Sequence, residues 1–136
     1  MTEQGASDIP RLPAVLITGA PGAGKSAVAK EVHELLRLAD VRNAMIDLDA
    51  LGKVFPEADL PFNSQLILSN LAAIWPNYRS LHLERLVLAR ILLSDDEVDA
   101  YRFAIPEMDL SVCRLEAPPG PPYPGSCRRD LAAFRT

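Results

Sequence analysis

The apolar residues in the first half of this chain repeat with two different periods. Residues 14–18 form a continuous apolar run with β-branched members, which predicts a buried strand of a parallel sheet. Residues 25–39 carry apolar side chains at steps of three and four, which predicts a helix with one buried face. These apolar positions are Val28, Val32, Leu35, Leu36 and Ala39. A second strand is predicted over residues 44–49, ending in acids, and a second helix over residues 62–75, with Asn63 as its N-cap.

The second half of the chain continues this alternation. Residues 86–93 are a candidate third strand, although Arg90 and the leucine-rich composition make strand and helix hard to separate. Residues 94–97, Ser-Asp-Asp-Glu, form a capping box that predicts a helix running to about residue 104. Residues 110–115 are the predicted fourth strand. Strands that alternate with helices predict an α/β fold, a three-layer sandwich around a parallel sheet.

The two ends of the chain differ from this pattern. We expect a disordered leader over residues 1–12, one domain over residues 13–117 and an atypical tail over residues 118–136. The tail begins with PPGPPYPG, whose five prolines in eight residues exclude a helix or an inner strand. This abrupt composition fits a natural disordered tail, and it also fits the frameshifted or truncated end of a longer reading frame.

Composition narrows the classes of function. The 136 residues suit one domain, and 49% hydrophobic residues can form a substantial core. A net charge of −4 argues against nucleic acid as a partner. No signal peptide and no apolar stretch near the roughly 20 residues of a membrane span are found, so we expect a cytoplasmic protein without a membrane partner. Cys113 and Cys127 lack metal-ligand spacing and are expected to be reduced thiols.

The segment LITGAPGAGKSAVAK between the first strand and the first helix fits two motifs. Residues 22–27 match the dinucleotide fingerprint G-x-G-x-x-G/A, and Asp47 lies about twenty residues on, where a ribose-binding acid is expected. Residues 19–26 match the phosphate loop G-x-x-x-x-G-K-[ST], in which Lys25 reaches the phosphates and Ser26 binds Mg²⁺. The dinucleotide interpretation leaves the Lys-Ser pair without a role, so we predict a nucleoside triphosphate with Mg²⁺. The predicted binding residues are Gly19, Ala20, Pro21, Gly22, Ala23, Gly24, Lys25, Ser26 and Ala27.

Two acids, Asp47 and Asp49, end the second predicted strand. Ligands of open parallel sheets gather at the carboxyl ends of the strands, and alternation along a strand places both side chains on one side. We therefore predict Ser26, Asp47 and Asp49 as metal-binding residues, and Lys25 and Asp49 as catalytic residues. The alternative is that Asp49 merely caps a short helix over residues 50–55.

With GAPGAGKS followed by a strand ending in D-x-D, residues 13–117 resemble the P-loop kinases of small metabolites, such as shikimate, gluconate and adenylylsulfate kinases. The chain resembles more closely the uncharacterised bacterial P-loop proteins that carry the generic label AAA-family ATPase. The resemblance implies a sheet ordered 2-3-1-4-5, ATP on the loop and an acceptor near the end of the second strand. It also marks two departures: LVLARILLS has no acid after the third strand, and part of the C-terminal lid and the last strand are lacking.

The resemblance leaves three functions open. The leading one is a kinase-like enzyme that transfers phosphate from ATP to a small hydroxyl-bearing acceptor. The others are an ATP hydrolase or nucleotide-binding regulatory protein, and an impaired remnant that only binds ATP. An arginine that stabilises phosphoryl transfer cannot be chosen from the sequence, because Arg79, Arg85 and Arg102 lie where ordinary salt bridges are expected.

Overall fold

The computed structural model describes residues 11–20, 22–59, 63–91 and 94–116, together with the backbone of residues 126–127. Most of the predicted leader, Pro21 of the phosphate loop and nearly all of the predicted tail lie outside these residues. Within them the chain alternates strands and helices, as the sequence pattern predicts. In the described residues, no helix has the length and apolar character needed to cross a membrane.

The strands form one sheet in the order β2-β3-β1-β4-β5. Their bounds are β1 Leu12–Gly19, β2 Asn43–Asp47, β3 Arg85–Ile91, β4 Met108–Glu116 and β5 Ser126–Cys127. The first four strands are parallel, and the two-residue β5 is added antiparallel at the outer edge of β4. The order implied by the resemblance is therefore present among the described residues, with β5 antiparallel to β4.

In the described part of the chain, three α-helices cover the two faces of this sheet: α1 Lys25–Leu38, α2 Ser64–Arg79 and α3 Asp95–Ala104. Helix α1 packs on one face, where its apolar stripe meets the odd-numbered buried residues of β1 and β3. Helices α2 and α3 pack on the other face against the even-numbered ones. Since β1 and β3 are buried on both faces, they are near-continuous apolar runs. The predicted three-layer α/β fold is confirmed.

The second strand is shorter than predicted. It ends at Asp47, and a 3₁₀ helix, Leu48–Gly52, follows at once. The Asp47 carboxylate accepts a hydrogen bond of 3.1 Å from the Asp49 backbone N–H and so caps this 3₁₀ helix. The prediction that the strand continues to Asp49 is therefore wrong, and strand alternation does not determine which side the Asp49 carboxylate faces.

Asn63 occupies the predicted N-cap position of α2, but its side chain does not cap the helix. Its backbone is in the left-handed region, with φ of 57°, and its amide group bonds the preceding loop instead. The cap comes from Asp59, whose carboxylate accepts hydrogen bonds from the backbone N–H groups of Gln65 and Leu66 at 3.0 and 3.1 Å. Spacing alone could not reveal a cap that reaches back from an upstream loop.

The structure also corrects the expectation of reduced cysteines. Cys113 is buried in β4 and takes part in a disulfide bond. The physical reason lies in the backbone: β5 returns alongside β4, with position 127 opposite Leu115, two residues from Cys113. The pairing of β5 with β4 arises only in the fold, and the spacing of the cysteines in the sequence does not indicate it.

Candidate functional site

The loop between β1 and α1 is built from small residues that let the backbone turn sharply. Gly22 and Gly24 have φ values of +88° and +93°, which residues with a side chain adopt only at a cost. Gly19 ends β1, and a Cβ added there would lie 3.1 Å from the Cβ of Ala23 and 3.2 Å from the carbonyl oxygen of Leu115. The glycines at these predicted positions are therefore required by the loop geometry itself.

The N-terminus of α1 opens into this loop without the usual side-chain cap. Gly24 occupies the N-cap position, and the first turn contains no acidic residue. The backbone N–H groups of the first turn and the positive end of the helix dipole therefore favour an anion. Lys25 and Ser26 are the first two residues of the helix, beside this opening. The described part of the loop thus fits the phosphate chain that the motif implies.

Lys25 forms an ion pair with Asp49. Its Nζ atom lies 2.9 Å from Asp49 Oδ2, and the two side chains are only 18% and 22% exposed. The other oxygen, Oδ1, accepts hydrogen bonds from Arg90 Nη1 at 3.0 Å and from the Ile91 backbone N–H at 3.1 Å. Burial alone would raise the pKa of Asp49, but the hydrogen bonds from Lys25, Ile91 and Arg90 outweigh it and hold that pKa below its ordinary value.

Arg90 is a site residue that the sequence reasoning did not identify. Its side chain is 1% exposed at the carboxyl end of β3, and its Nη2 atom donates to Ser64 Oγ and Glu97 Oε2, both at 3.0 Å. Burial alone would lower the pKa of Arg90, and its hydrogen bonds to Asp49, Tyr101 and Glu97 raise it instead. One signal was available: an arginine inside the apolar run LVLARI must have acidic partners if the run is a buried strand.

Glu97 and Tyr101 complete the cluster of charged and polar side chains around Arg90, which also includes Asp49 and Lys25. Ser94 accepts the expected capping bond from the Glu97 backbone N–H at 3.3 Å, but the Glu97 side chain turns toward Arg90 rather than back to the cap. Tyr101 donates to Glu97 Oε2 at 3.3 Å, and burial raises the pKa of Tyr101 to about 12. The hydroxyl is therefore a protonated donor at neutral pH.

The turn that carries Asp49 is fixed by its packing on α2. Asn70 donates to the Leu51 carbonyl oxygen at 2.7 Å, and a Cβ added to Gly52 would lie 2.7 Å from Ile67 Cγ1. On the strand side, the Thr18 hydroxyl donates to the Ile91 carbonyl oxygen at 3.0 Å, which ties the end of β1 to the end of β3. These contacts hold the turn that carries Asp49 and the strand end next to the loop, so that Asp49 lies beside Lys25.

Three of the solved structures that resemble this chain are kinases of small molecules. The APS kinase of Mycobacterium tuberculosis, in complex with AMPPNP and APS, is 22% identical, with a TM-score of 0.60 over 81% of this chain and 65% of its own. A sugar kinase from Janibacter sp. is 18% identical, with a TM-score of 0.55 over 79% of this chain and 62% of its own. A gluconokinase from Sinorhizobium meliloti is also 18% identical, with a TM-score of 0.51 over 81% of this chain and 59% of its own.

The chain has the P-loop kinase fold. It spans less than two thirds of the length of these three kinases. No protein-family model matches the sequence, and no curated protein matches it either. At identities of 22% and below, the likeness concerns the fold, and the chemistry has to be argued from the residues.

The sheet order of the P-loop kinase fold also decides between the two motif interpretations. In the dinucleotide-binding fold β2 lies next to β1, whereas here β3 lies between them. Asp47, the acid that matched the ribose position, is therefore one strand further from the loop than that interpretation requires. The overlap of residues 22–27 with the dinucleotide fingerprint is a coincidence of sequence.

The predicted metal-binding acids are not arranged as a pair. Asp47 accepts from the Asp49 backbone N–H, and both oxygens of Asp49 already accept hydrogen bonds from cations or from the Ile91 N–H. Among the described residues no group of three or more His, Cys, Asp or Glu side chains could hold a metal ion. Direct coordination by Asp49 would first have to displace Lys25 or Arg90. The metal roles of Asp47 and Asp49 stay predictions, and the Ser26 hydroxyl remains the ligand that the motif itself supplies.

The three arginines considered from the sequence lie away from this site. Arg79 pairs with Glu107 at 2.7 Å, Arg102 pairs with Asp99 at 3.4 Å, and the Arg85 guanidinium donates to the Glu84 carbonyl oxygen at 2.7 Å. Arg79 and Arg85 are near the amino ends of the strands, opposite the loop. The ordinary ion pairs expected for Arg79 and Arg102 are present.

Proposed function

We propose that this chain binds ATP with Mg²⁺ on the loop between β1 and α1 and transfers the γ-phosphoryl group to a small hydroxyl-bearing acceptor. The observation that carries the proposal is the Lys25–Asp49 pair, at 2.9 Å, beside the uncapped N-terminus of α1. Lys25, which would bind phosphate, and Asp49, which would bind the acceptor hydroxyl, are therefore in direct contact. The AMPPNP and APS in the M. tuberculosis kinase of the same fold give further support.

The chain's own residues would hold the triphosphate in two ways. Backbone N–H groups of the loop and of the first turn of α1 would donate to phosphate oxygens, and Lys25 would add a positive charge. The Ser26 hydroxyl would be a ligand of Mg²⁺. Once bound, ATP would supply the phosphoryl group, and Mg²⁺ would neutralise negative charge on it during transfer.

Asp49 would orient the acceptor hydroxyl and take its proton as the new oxygen–phosphorus bond forms and the bond to ADP breaks. Its lowered pKa keeps Asp49 ionised at neutral pH, so that it can accept a hydrogen bond from that hydroxyl. The exchange requires Lys25 to turn from Asp49 to the phosphates, which leaves Oδ2 for the acceptor.

The first test is binding, because every version of the function depends on it. Thermal unfolding of the full chain should shift upward with ATP and Mg²⁺ in wild-type protein and in the Lys30→Ala variant, and not in Lys25→Ala. Lys30 is an exposed residue of the same helix and provides a matched control. No shift in the wild type would refute the proposal.

The second test is turnover. ADP release should depend on an added acceptor when the chain is given a panel of sugars, sugar acids and other small alcohols. Release that is independent of any acceptor would identify a hydrolase instead. Binding without any release would identify a chain that only binds ATP.

A further inference from the structure

Arg90 joins three separate elements at the carboxyl end of the sheet. It lies on β3 in register with Thr18 of β1, one residue before β1 ends at Gly19. From there its guanidinium contacts Asp49 in the 3₁₀ turn, Ser64 at the start of α2 and Glu97 in α3, each at 3.0 Å. A side chain held from three directions and 1% exposed cannot reach solvent or a substrate.

Asp49 is shared between Arg90 and Lys25 through different oxygens. Lys25 contacts Oδ2 at 2.9 Å, while Arg90 contacts Oδ1 at 3.0 Å. The two cations differ in their freedom, because the Lys25 side chain is 18% exposed whereas that of Arg90 is 1% exposed and is held between Asp49 and Glu97. When Lys25 turns to a phosphate group, Arg90 is the cation that remains with Asp49.

We propose that Arg90 is a positioning residue that keeps Asp49 in place and so releases Lys25 for the nucleotide. The inference rests on the proposed function, since it assigns a role within the same site. With Arg90 present, the charge of Asp49 remains compensated after Lys25 leaves. Without Arg90, Lys25 is the only cation left to Asp49 among the contacts described, and phosphate has to compete with a stronger pair.

Arginine suits this role better than lysine. The planar guanidinium donates to Asp49 from Nη1 and to Glu97 from Nη2 at the same time, whereas an ammonium group presents a single nitrogen. Glu97 and Tyr101 in turn stop the guanidinium from following Asp49 if the turn moves. The third strand thus contributes a buried cation that holds an acid supplied by the turn after β2.

The test is a double-mutant cycle read by binding of AMPPNP with Mg²⁺ to the full chain. Arg90→Met and Arg90→Lys are each made in the wild-type background and in the Asp49→Asn background. In the wild-type background we expect Arg90→Met to weaken AMPPNP binding about tenfold, the loss equivalent to one charge-assisted hydrogen bond, and Arg90→Lys to weaken it less. In the Asp49→Asn background the same changes should alter affinity by less than about twofold, because no carboxylate then competes for Lys25.

Arg79→Met is the matched control, since it removes another ion-paired arginine at the opposite end of the sheet. It should leave AMPPNP affinity unchanged in both backgrounds. Equal losses for Arg90→Met in the two backgrounds would overturn the inference, since Arg90 would then support the site without acting through Asp49. No loss in either background would also overturn it.

Folding of each variant is followed by circular dichroism. If Arg90→Met does not fold, the cycle is read from Arg90→Lys, which retains the charge. If neither folds, the inference fails, because Arg90 would then be a residue on which the whole sheet depends. Absence of AMPPNP binding in the wild type would refute the proposed function itself. Absence of turnover would not affect the double-mutant cycle, because the cycle is measured by AMPPNP affinity.

Discussion

The substitution Asp49→Asn should separate binding from transfer, with opposite effects on the two. The Asp49 carboxylate lies 2.9 Å from Lys25 Nζ, so that Asp49 would compete with phosphate for the same ammonium group. An asparagine keeps the size of the side chain and removes its charge. We therefore expect tighter nucleotide binding in the variant, together with a loss of turnover.

The magnitudes follow from the burial of the pair. The Lys25 and Asp49 side chains are 18% and 22% exposed, so we expect their ion pair to contribute about 1 kcal/mol, the upper end of the range for surface ion pairs. Removing this competition should make nucleotide binding about fivefold tighter. Loss of a general base lowers turnover by about 10²–10⁴-fold. The free energy of unfolding of the variant should also be lower by about 1–3 kcal/mol, because the buried Arg90 loses one of its ionic partners.

Isothermal titration with AMPPNP and Mg²⁺ measures the first effect, and acceptor-dependent ADP release measures the second. Glu34→Gln is the matched control, because it neutralises an exposed acid on α1 that pairs with Arg37 away from the loop. Binding that weakens tenfold in Asp49→Asn would show that Asp49 supports the nucleotide rather than competing with it. Turnover within threefold of the wild type would show that Asp49 is not the base.

Three further predictions follow from the same contacts. Lys25→Ala should weaken ATP binding at least 100-fold, equivalent to about 3 kcal/mol of charge-assisted hydrogen bonds, while Lys30→Ala leaves it unchanged in the same titration. Gly52→Ala should lower the free energy of unfolding by about 1–3 kcal/mol in urea denaturation, because its Cβ would lie 2.7 Å from Ile67. The lowered pKa of Asp49 means that its contribution to stability is complete above about pH 4 and is lost as the pH falls through the folded-state value. Asp49→Asn should therefore flatten the fall in the urea midpoint as the pH is lowered below about pH 4.

The elements that could be predicted from the sequence are those whose signal is local. The apolar run of β1, the stripe of α1 and the Ser94 cap of α3 each reflect contacts within one element and its neighbours in the chain. The turns at Gly22 and Gly24 between β1 and α1 belong with them, because a positive φ is a property of those glycines themselves.

Other elements could not be predicted because side-chain contacts that the apolar pattern does not show decide them. The cap of α2 comes from Asp59, six residues before Gln65, and β2 ends where the Asp47 side chain bonds the Asp49 backbone N–H two residues on. In the sequence Arg90 is only an irregularity in a predicted strand, since its partners Asp49 and Glu97 are 41 and 7 residues away. Three charges that are scattered along the chain form a cluster only after the sheet has formed.

This cluster explains how the site can lack an acid at the end of its third strand. A carboxylate beside the loop lysine can come from any strand end that reaches it, provided that a second cation compensates its charge while the lysine is engaged elsewhere. Here the turn after β2 brings Asp49 to Lys25, and β3 supplies Arg90 in register with Thr18 of β1. The arginine that interrupts the apolar run of β3 and the acid that follows β2 therefore depend on each other. A change at either position should alter the affinity of Lys25 for phosphate without any change in the loop itself.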